Sequence, residues 1–256
     1  MKVSALVPAK GFAQAKQRLA PLLSARARAL LAESMLRDVL GEVTSARRLE
    51  ETFVVTGDPK VSQIASSLGA RVIQEKEERG ETEAVVFALA EMKRKGIEAI
   101  LVLPADIPLV RSSDIDLLLN HAPGHASPFA LLVPSHDRMG TNALLLSPPD
   151  AIRLRFGYDS FSYHLREMAD HGLPLRALEN ERIGLDIDGP NDLERFMQVV
   201  ARVRGSTALS GSPPKGGSCP PDEHDNRARA QVNETYLRLL EIGVAGGPGP
   251  AHRTGG

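Results

Sequence analysis

Ile100-Leu101-Val102-Leu103-Pro104-Ala105-Asp106-Ile107-Pro108 is an apolar run that stops at a carboxylate clamped between two prolines. A run this short, bounded by proline, reads as a strand buried on both faces. Open α/β sheets hold their ligands at the carboxyl ends of such strands. Asp oxygens are natural partners of Mg2+ when a substrate brings phosphates. A capping Asp at a strand-to-helix turn would look the same in sequence.

Working outward, five more short runs rich in Val, Ile and Leu predict strands at 3–7, 52–56, 71–74, 129–133 and 143–147, beside 98–103. Helical periodicity fills 24–43, 59–68 and 82–95, with Leu31, Met35 and Val39 at i, i+4 spacing. Asp58-Pro59 starts a helix, and Gly69 and Gly96 fit C-terminal stops. Strands alternating with helices imply an α/β fold with a mostly parallel sheet covered on both faces. After Pro108 the rhythm loosens. The strands at 129–133 and 143–147 are joined by a polar, Gly-containing turn, which predicts a hairpin or an added antiparallel strand. Helices at 160–171 and 190–203 close the unit.

The chain has 256 residues and a formal net charge of −1. That balance gives no electrostatic reason to expect nucleic acid as a partner. No apolar run approaches the roughly 20 residues of a membrane span, and the start lacks the features of a signal peptide. A single cysteine, Cys219, excludes an intrachain disulfide framework. The expected location is the cytoplasm. Residues 205–256 hold 10 of the 22 glycines and 6 of the 18 prolines. The division is therefore a folded domain over 1–204 and a flexible, solvated tail over 205–256. That tail includes a linker from Gly205 to Pro214, a helix at about 227–242 with Val232, Tyr236, Leu239 and Leu240 on one face, and disorder around 246–250.

Three features carry chemistry. The first βα junction, Leu6-Val7-Pro8-Ala9-Lys10-Gly11 through Lys16-Gln17-Arg18-Leu19, is neither a dinucleotide fingerprint nor a P-loop. It bunches Lys10, Lys16 and Arg18, cations able to offset the charge of a triphosphate; an exposed basic loop would read the same way. Leu185-Asp186-Ile187-Asp188-Gly189-Pro190 alternates like a strand with both carboxylates on one face. Asp188 could cap the next helix, or join Asp106 around one Mg2+. Gly140-Thr141-Asn142 and Phe156-Gly157-Tyr158-Asp159-Ser160 form the third feature. Gly157 permits close approach of a backbone, and Ser160 stands at a helix start, as an N-cap or an anion site. His136, His164 and His171 lack metal-ligand spacing and read as surface or supporting residues.

Taken in order, Val7-Pro8-Ala9-Lys10, Ala15-Lys16-Gln17-Arg18-Leu19, Val54-Val55-Thr56-Gly57-Asp58, Leu103 to Pro108, Gly140 to Leu144, Phe156-Gly157 with Ser160-Phe161, and Leu185 to Pro190 resemble the phospholactate guanylyltransferase family of coenzyme F-420 biosynthesis. The resemblance runs from about residue 3 to 198. It implies a GT-A-type, Rossmann-like nucleotidyltransferase fold with Mg2+ at the strand ends. The implied reaction is transfer of GMP from GTP to the phosphate of 2-phospholactate, phosphoenolpyruvate or 3-phosphoglycerate, with pyrophosphate released. Carried over residue by residue, Asp106 and Asp188 hold the metal, and Lys10, Lys16 and Arg18 face the triphosphate. Pro8, Ala9, Thr56, Asp58, Gly80, Glu83 and Pro104 lie along the nucleotide. Thr141, Asn142, Gly157 and Ser160 grip the acceptor. The partners implied are GTP and the phospho-acid, with a homodimer and a transferase acting next in the pathway as further candidates.

One departure stands out. The family commonly shows Gly-Leu-Asn-Ala-Ala where this chain has Gly80-Glu81-Thr82-Glu83-Ala84. Glu81 and Glu83 could accept hydrogen bonds from guanine, or signal a different acceptor or base. Two other readings stay open. One is another GT-A-type nucleotidyltransferase, against which the absence of a glycine-rich first loop argues. The other is a non-catalytic nucleotide-binding protein, against which the two strand-end aspartates argue.

Overall fold

Six strands alternate with helices to build one mixed sheet. The computed structural model describes residues 2–77, 79–123, 128–209 and 233–244. The strands are β1 (Val3–Pro8), β2 (Leu49–Thr56), β3 (Arg71–Gln74), β4 (Ala99–Val102), β5 (Phe129–Pro134) and β6 (Thr141–Ser147). Their order is β3-β2-β1-β4-β6-β5. β1 pairs in parallel with both β2 and β4, and β2 with β3. β6 is antiparallel to β4 and β5, so the expected hairpin is present as an antiparallel addition at one end.

The helices are α1 (Ala25–Ser45), α2 (Pro59–Ser67), α3 (Glu81–Arg94), α4 (Ser112–His121), α5 (Ser160–Asp170), α6 (Pro190–Leu209) and α7 (Glu234–Glu241). Strand residues alternate between two cores because successive side chains point to opposite faces. Val3, Ala5, Val7, Leu101 and Leu103 join α1, α2 and α4 on one face. Leu6, Ile100, Val102, Leu144 and Leu146 join α3 and α5 on the other. This explains why the strands read as continuous apolar runs.

Chain direction fixes where a site can form. From β1 the chain crosses to β2 on one side and later to β4 on the other. The loops after β1 and β4 therefore diverge and leave a crevice at the switch point. The cationic loop follows β1, and Asp106 follows β4.

Four expectations need correction. Residues 112–121 form α4, a helix that the loosened rhythm after Pro108 had hidden. The stretch 185–188 lies extended beside the sheet without joining it as a strand, tied by Ile187 N–H donating to the Asp106 carbonyl (3.0 Å). Residues 205–209, expected to open the linker, continue α6. The tail helix is not a solvated appendage over its described part: α7 lies against α1, with Leu239 fully buried. Residues 210–232 and 245–256, including the rest of the linker and the Gly/Pro-rich end, lie outside the described residues.

α4 also anchors the 180s. Asp114, buried to 1% exposure, accepts from Arg182 Nε (2.7 Å), from Arg182 Nη2, from Asn180 Nδ2 (2.9 Å) and from Arg111 N–H (2.9 Å). Removing one partner of a buried pair leaves a charge without compensation. Arg182 is itself half exposed, so water replaces part of what it supplies, and Arg182→Ala should cost about 2 kcal/mol in urea unfolding. Adding Asp114→Asn should return part of that loss. Equal stability of Arg182→Ala and wild type would mean that the pair contributes nothing.

Candidate functional site

The crevice at the switch point is a cavity of about 550 Å³ walled by the loop after β1, the start of α3 and the loop after β4. Lys10, Lys16 and Arg18 line it, as do Pro8, Ala9, Pro104, Asp106 and Asp188. A second cavity of about 320 Å³ adjoins it, formed by the β5–β6 turn, the loop before α5 and residues 186–192. Thr141, Asn142, Gly157 and Ser160 all line this one. The two cavities share Arg18, Glu81, Pro104, Asp106 and Asp188. They are two halves of one site, with the carboxylate pair at their junction.

At that junction Lys16 Nζ donates to Asp106 Oδ2 (2.6 Å) and to Asp188 Oδ1 (2.8 Å). Burial would lower the Lys16 pKa, but the two carboxylates more than offset this and hold it above the usual lysine value. Burial would likewise raise the Asp188 carboxyl. Lys16 and Arg18 instead hold it below the usual carboxylate range. Arg18 itself is largely exposed, 3.7 Å from Asp188, and so is free to meet an incoming anion.

The cationic loop is shaped from below. Lys16 adopts a left-handed conformation (φ 52°, ψ 46°) between two short 3-10 turns, 12–14 and 17–19. Arg28 of α1 is buried beneath it. Its guanidinium donates to the Leu23 carbonyl (2.8 Å), the Ala15 carbonyl (3.4 Å) and Gln17 Oε1 (3.4 Å). An arginine that satisfies this many carbonyls holds the loop's path without entering the cavity.

In the second cavity, two hydroxyls are oriented by the protein. Thr141 N–H donates to Ser160 Oγ (3.0 Å). His164 Nε2 accepts from Arg155 N–H (3.2 Å), which leaves the ring proton on Nδ1 to donate to Thr141 Oγ1 (2.9 Å). Each oxygen is thus occupied as an acceptor, and its own proton is left to donate into the cavity. Two donated hydroxyl protons suit a carboxylate or a phosphate. Asn142 spends its amide protons on the Ile183 carbonyl (3.0 Å) and Asp186 Oδ1 (2.9 Å), so it positions the 183–186 segment. Phe156 N–H donates to Thr82 Oγ1 (2.9 Å), tying the loop before α5 to the start of α3.

Thr56, Asp58, Gly80 and Glu83, expected along the nucleotide, line neither cavity. Thr56 Oγ1 accepts from Asp58 N–H, and Asp58 caps α2 through Lys60 N–H (2.8 Å) and Val61 N–H (2.9 Å). Gly80 caps α3 at φ 134°, where a Cβ would clash with the Glu83 carboxylate. Of the two glutamates in the departing stretch, only Glu81 faces the site. Burial between the walls and the nearby Asp106 charge hold its carboxyl above the usual range, at about 7, against the opposing pull of Lys10. Ser160 is not an N-cap: Asp159 holds that place, and Ser160 turns to Thr141.

Sequence reasoning missed Asp186, Glu75 and the role of His164. Asp186 lines the second cavity, raised to about 6 by burial and by Asp106. Glu75 lines the first cavity. His164 is fully buried, and burial lowers it to about 4. The unfolded chain takes a proton at His164 below about pH 6.5, and the folded chain does not until about pH 4. Stability contributed by the neutral ring is therefore present above 6.5 and lost as pH falls through that window, by up to about 3 kcal/mol. Glu81 and Asp186 work in the opposite sense, because their raised carboxyls bind protons earlier when folded. Comparing wild type with His164→Gln at pH 7 and pH 5 cancels them. Wild type should lose more stability in urea than the variant; parallel losses would refute the assignment.

The sheet order and the split site define a nucleotidyltransferase-like α/β protein. A cytidylyltransferase from Leptospira borgpetersenii superposes with a TM-score of 0.55 at 16% identity, covering 85% of this chain and 100% of that one. Residues 3–202 match the family described as guanylyl transferase, CofC like, and the chain belongs to that family. Among its relatives, a phosphoenolpyruvate guanylyltransferase from Conexibacter woesei is 34% identical over 81% of this chain and 93% of its own. A 2-phospho-L-lactate guanylyltransferase from Methanothermobacter thermautotrophicus is 34% identical over 75% and 83%. A 3-phospho-D-glycerate guanylyltransferase from Colwellia psychrerythraea is 34% identical over 79% and 95%. Among the described residues no helix is long and apolar enough to cross a membrane.

Proposed function

We propose that this chain transfers GMP from GTP to the phosphate of a three-carbon phospho-acid, with Mg2+ held at Asp106 and Asp188. The observation that carries the reading is the shared wall: a carboxylate pair and Arg18 stand between a cavity lined with Lys10 and Lys16 and a cavity lined with Thr141 and Ser160. The relatives named for phosphoenolpyruvate, 2-phospho-L-lactate and 3-phospho-D-glycerate support the acceptor class.

The residues fit the ion. Oxygens of Asp106 and Asp188 converge on one cationic atom, Lys16 Nζ, which marks a position suited to positive charge. Among the described residues no group of three or more His, Cys, Asp or Glu forms a cage. Two carboxylates are what Mg2+ uses when phosphates and water supply its other ligands. When bound, the ion would supply neutralisation of phosphate charge.

The reaction asks little else of the protein. An acceptor phosphate oxygen is already ionised at neutral pH, with a second pKa of about 6. It forms a bond to the α-phosphorus of GTP as the bond to the bridging oxygen breaks, and that electron pair leaves with pyrophosphate. Thr141 and Ser160 hold the acid's anionic end. Lys10, Lys16 and Arg18 gather the triphosphate, so the contribution is positioning and charge compensation. This accounts for a site without a nucleophilic cysteine or Ser-His pair. The place in coenzyme F-420 biosynthesis follows from the same reading.

Offering GTP with each of the three acids, following pyrophosphate and weighing the product tests it. One acid should give a diester heavier than GMP by the acid less water. No pyrophosphate with any of them, with Mg2+ present, would overturn the acceptor class.

A further inference from the structure

The helix α7 lies beyond residues 3–202, the span of the family match, yet it is built into the site's foundation. Two anchors fix its first turn. Asp38 of α1 accepts from Glu234 N–H (2.8 Å), Thr235 N–H (2.8 Å) and Thr235 Oγ1 (2.6 Å). Asn233 caps the helix through Tyr236 N–H (2.9 Å), and its Nδ2 donates to the Pro108 carbonyl (2.5 Å), two residues past Asp106.

The buried face of α7 completes a third core. Leu239 is fully buried there with Leu19, Leu109, Leu185, Ile187 and Phe196. Leu19 adjoins Arg18, Leu109 follows the Asp106 turn, and Ile187 adjoins Asp188. So one small core underlies all three segments that bring charge to the junction of the two cavities. Local backbone bonds turn two of these segments, Leu19 N–H to the Lys16 carbonyl (2.9 Å) and Val110 N–H to the Ile107 carbonyl (3.0 Å), and Ile187 N–H to the Asp106 carbonyl (3.0 Å) joins the second to the third.

We infer that residues 233–244 act as a strap that holds these three segments in register, with Asn233 and Leu239 as positioning residues for Asp106, Asp188 and Lys16. The strap needs only the packing; its effect on turnover rests on the function proposed above. A core too small to close without its last apolar member leaves its segments to open locally rather than with the whole sheet.

Hydrogen exchange on the full chain tests this. In Leu239→Ala, the amides of Leu19, Val110 and Ile187 should exchange faster, on the order of tenfold, while those of β2 and β3 hold their wild-type protection. Asn233→Ala, a milder change, should show the same pattern centred on Val110. In turnover assays both variants should raise the KM for GTP with Mg2+ more than they lower kcat. Unchanged exchange at the three amides, or an equal rise across the sheet, would overturn the strap. Because exchange is read without substrate, its outcome is independent of whether any of the three acids is accepted.

Discussion

Asp106→Ala is expected to lose pyrophosphate release on the order of a thousandfold while unfolding in urea like the wild type. Both halves follow from what the side chain touches. Its hydrogen-bond partner is Lys16, across the cavity, and it is only partly buried. The backbone carbonyl that receives Ile187 N–H survives the substitution, so the tie to the 185–188 segment remains. What disappears is one of two carboxylate arms at the junction of the two cavities, where the proposed reaction would bring a phosphate nucleophile to a triphosphate. Two assemblies of several negative charges cannot approach in a water-poor cleft without compensation at that point. Wild-type turnover in a well-folded Asp106→Ala chain would remove the carboxylate pair from the mechanism.

Asp106 was legible in sequence because strand ends announce themselves. Ile100 to Leu103 is a continuous apolar run, both faces of which are buried, and the next polar residue is Asp106. Lys16 and Arg18 were legible for the same reason, after β1. Four residues expected along the nucleotide line neither cavity and make local contacts. Asp58 precedes proline and spends Oδ1 on two amides of α2, and Gly80 and Glu83 serve the start of α3. Short-range capping competes with ligand binding for the same polar side chains, and spacing alone does not say which prevails. The helix α4 was obscured although Ile115, Leu118 and Leu119 carry the i, i+3, i+4 pattern, because its cap is Asp114 reaching back to Arg111. His164 was unreadable as a support for Thr141, since the two are brought together only by β6 packing against α5. The apolar face of α7 was visible, but its partner was not: docking depends on Asp38 and on a core assembled from four distant segments.

Lys16→Met should separate cation binding from turnover. In the wild type the ammonium lies between Asp106 and Asp188, so a divalent ion entering that pair competes with a charge already there. The substitution keeps an unbranched side chain, one atom shorter, and removes the competitor. Mn2+ affinity without nucleotide should therefore rise on the order of tenfold, since the carboxylates no longer share an internal cation. Turnover should nonetheless fall on the order of a hundredfold, because a cation placed for the triphosphate is lost. Stability should follow the same logic. With chelator present, the two carboxylates repel each other across the space the ammonium filled, and the variant should melt below the wild type. Added Mg2+ should restore it further than it raises the wild type, because the ion binds only the folded pair. Calorimetric titration with Mn2+ and melting with and without Mg2+ supply the readings. If the variant binds the ion no better than wild type, the two carboxylates do not share a divalent ion, and the proposed metal position is wrong.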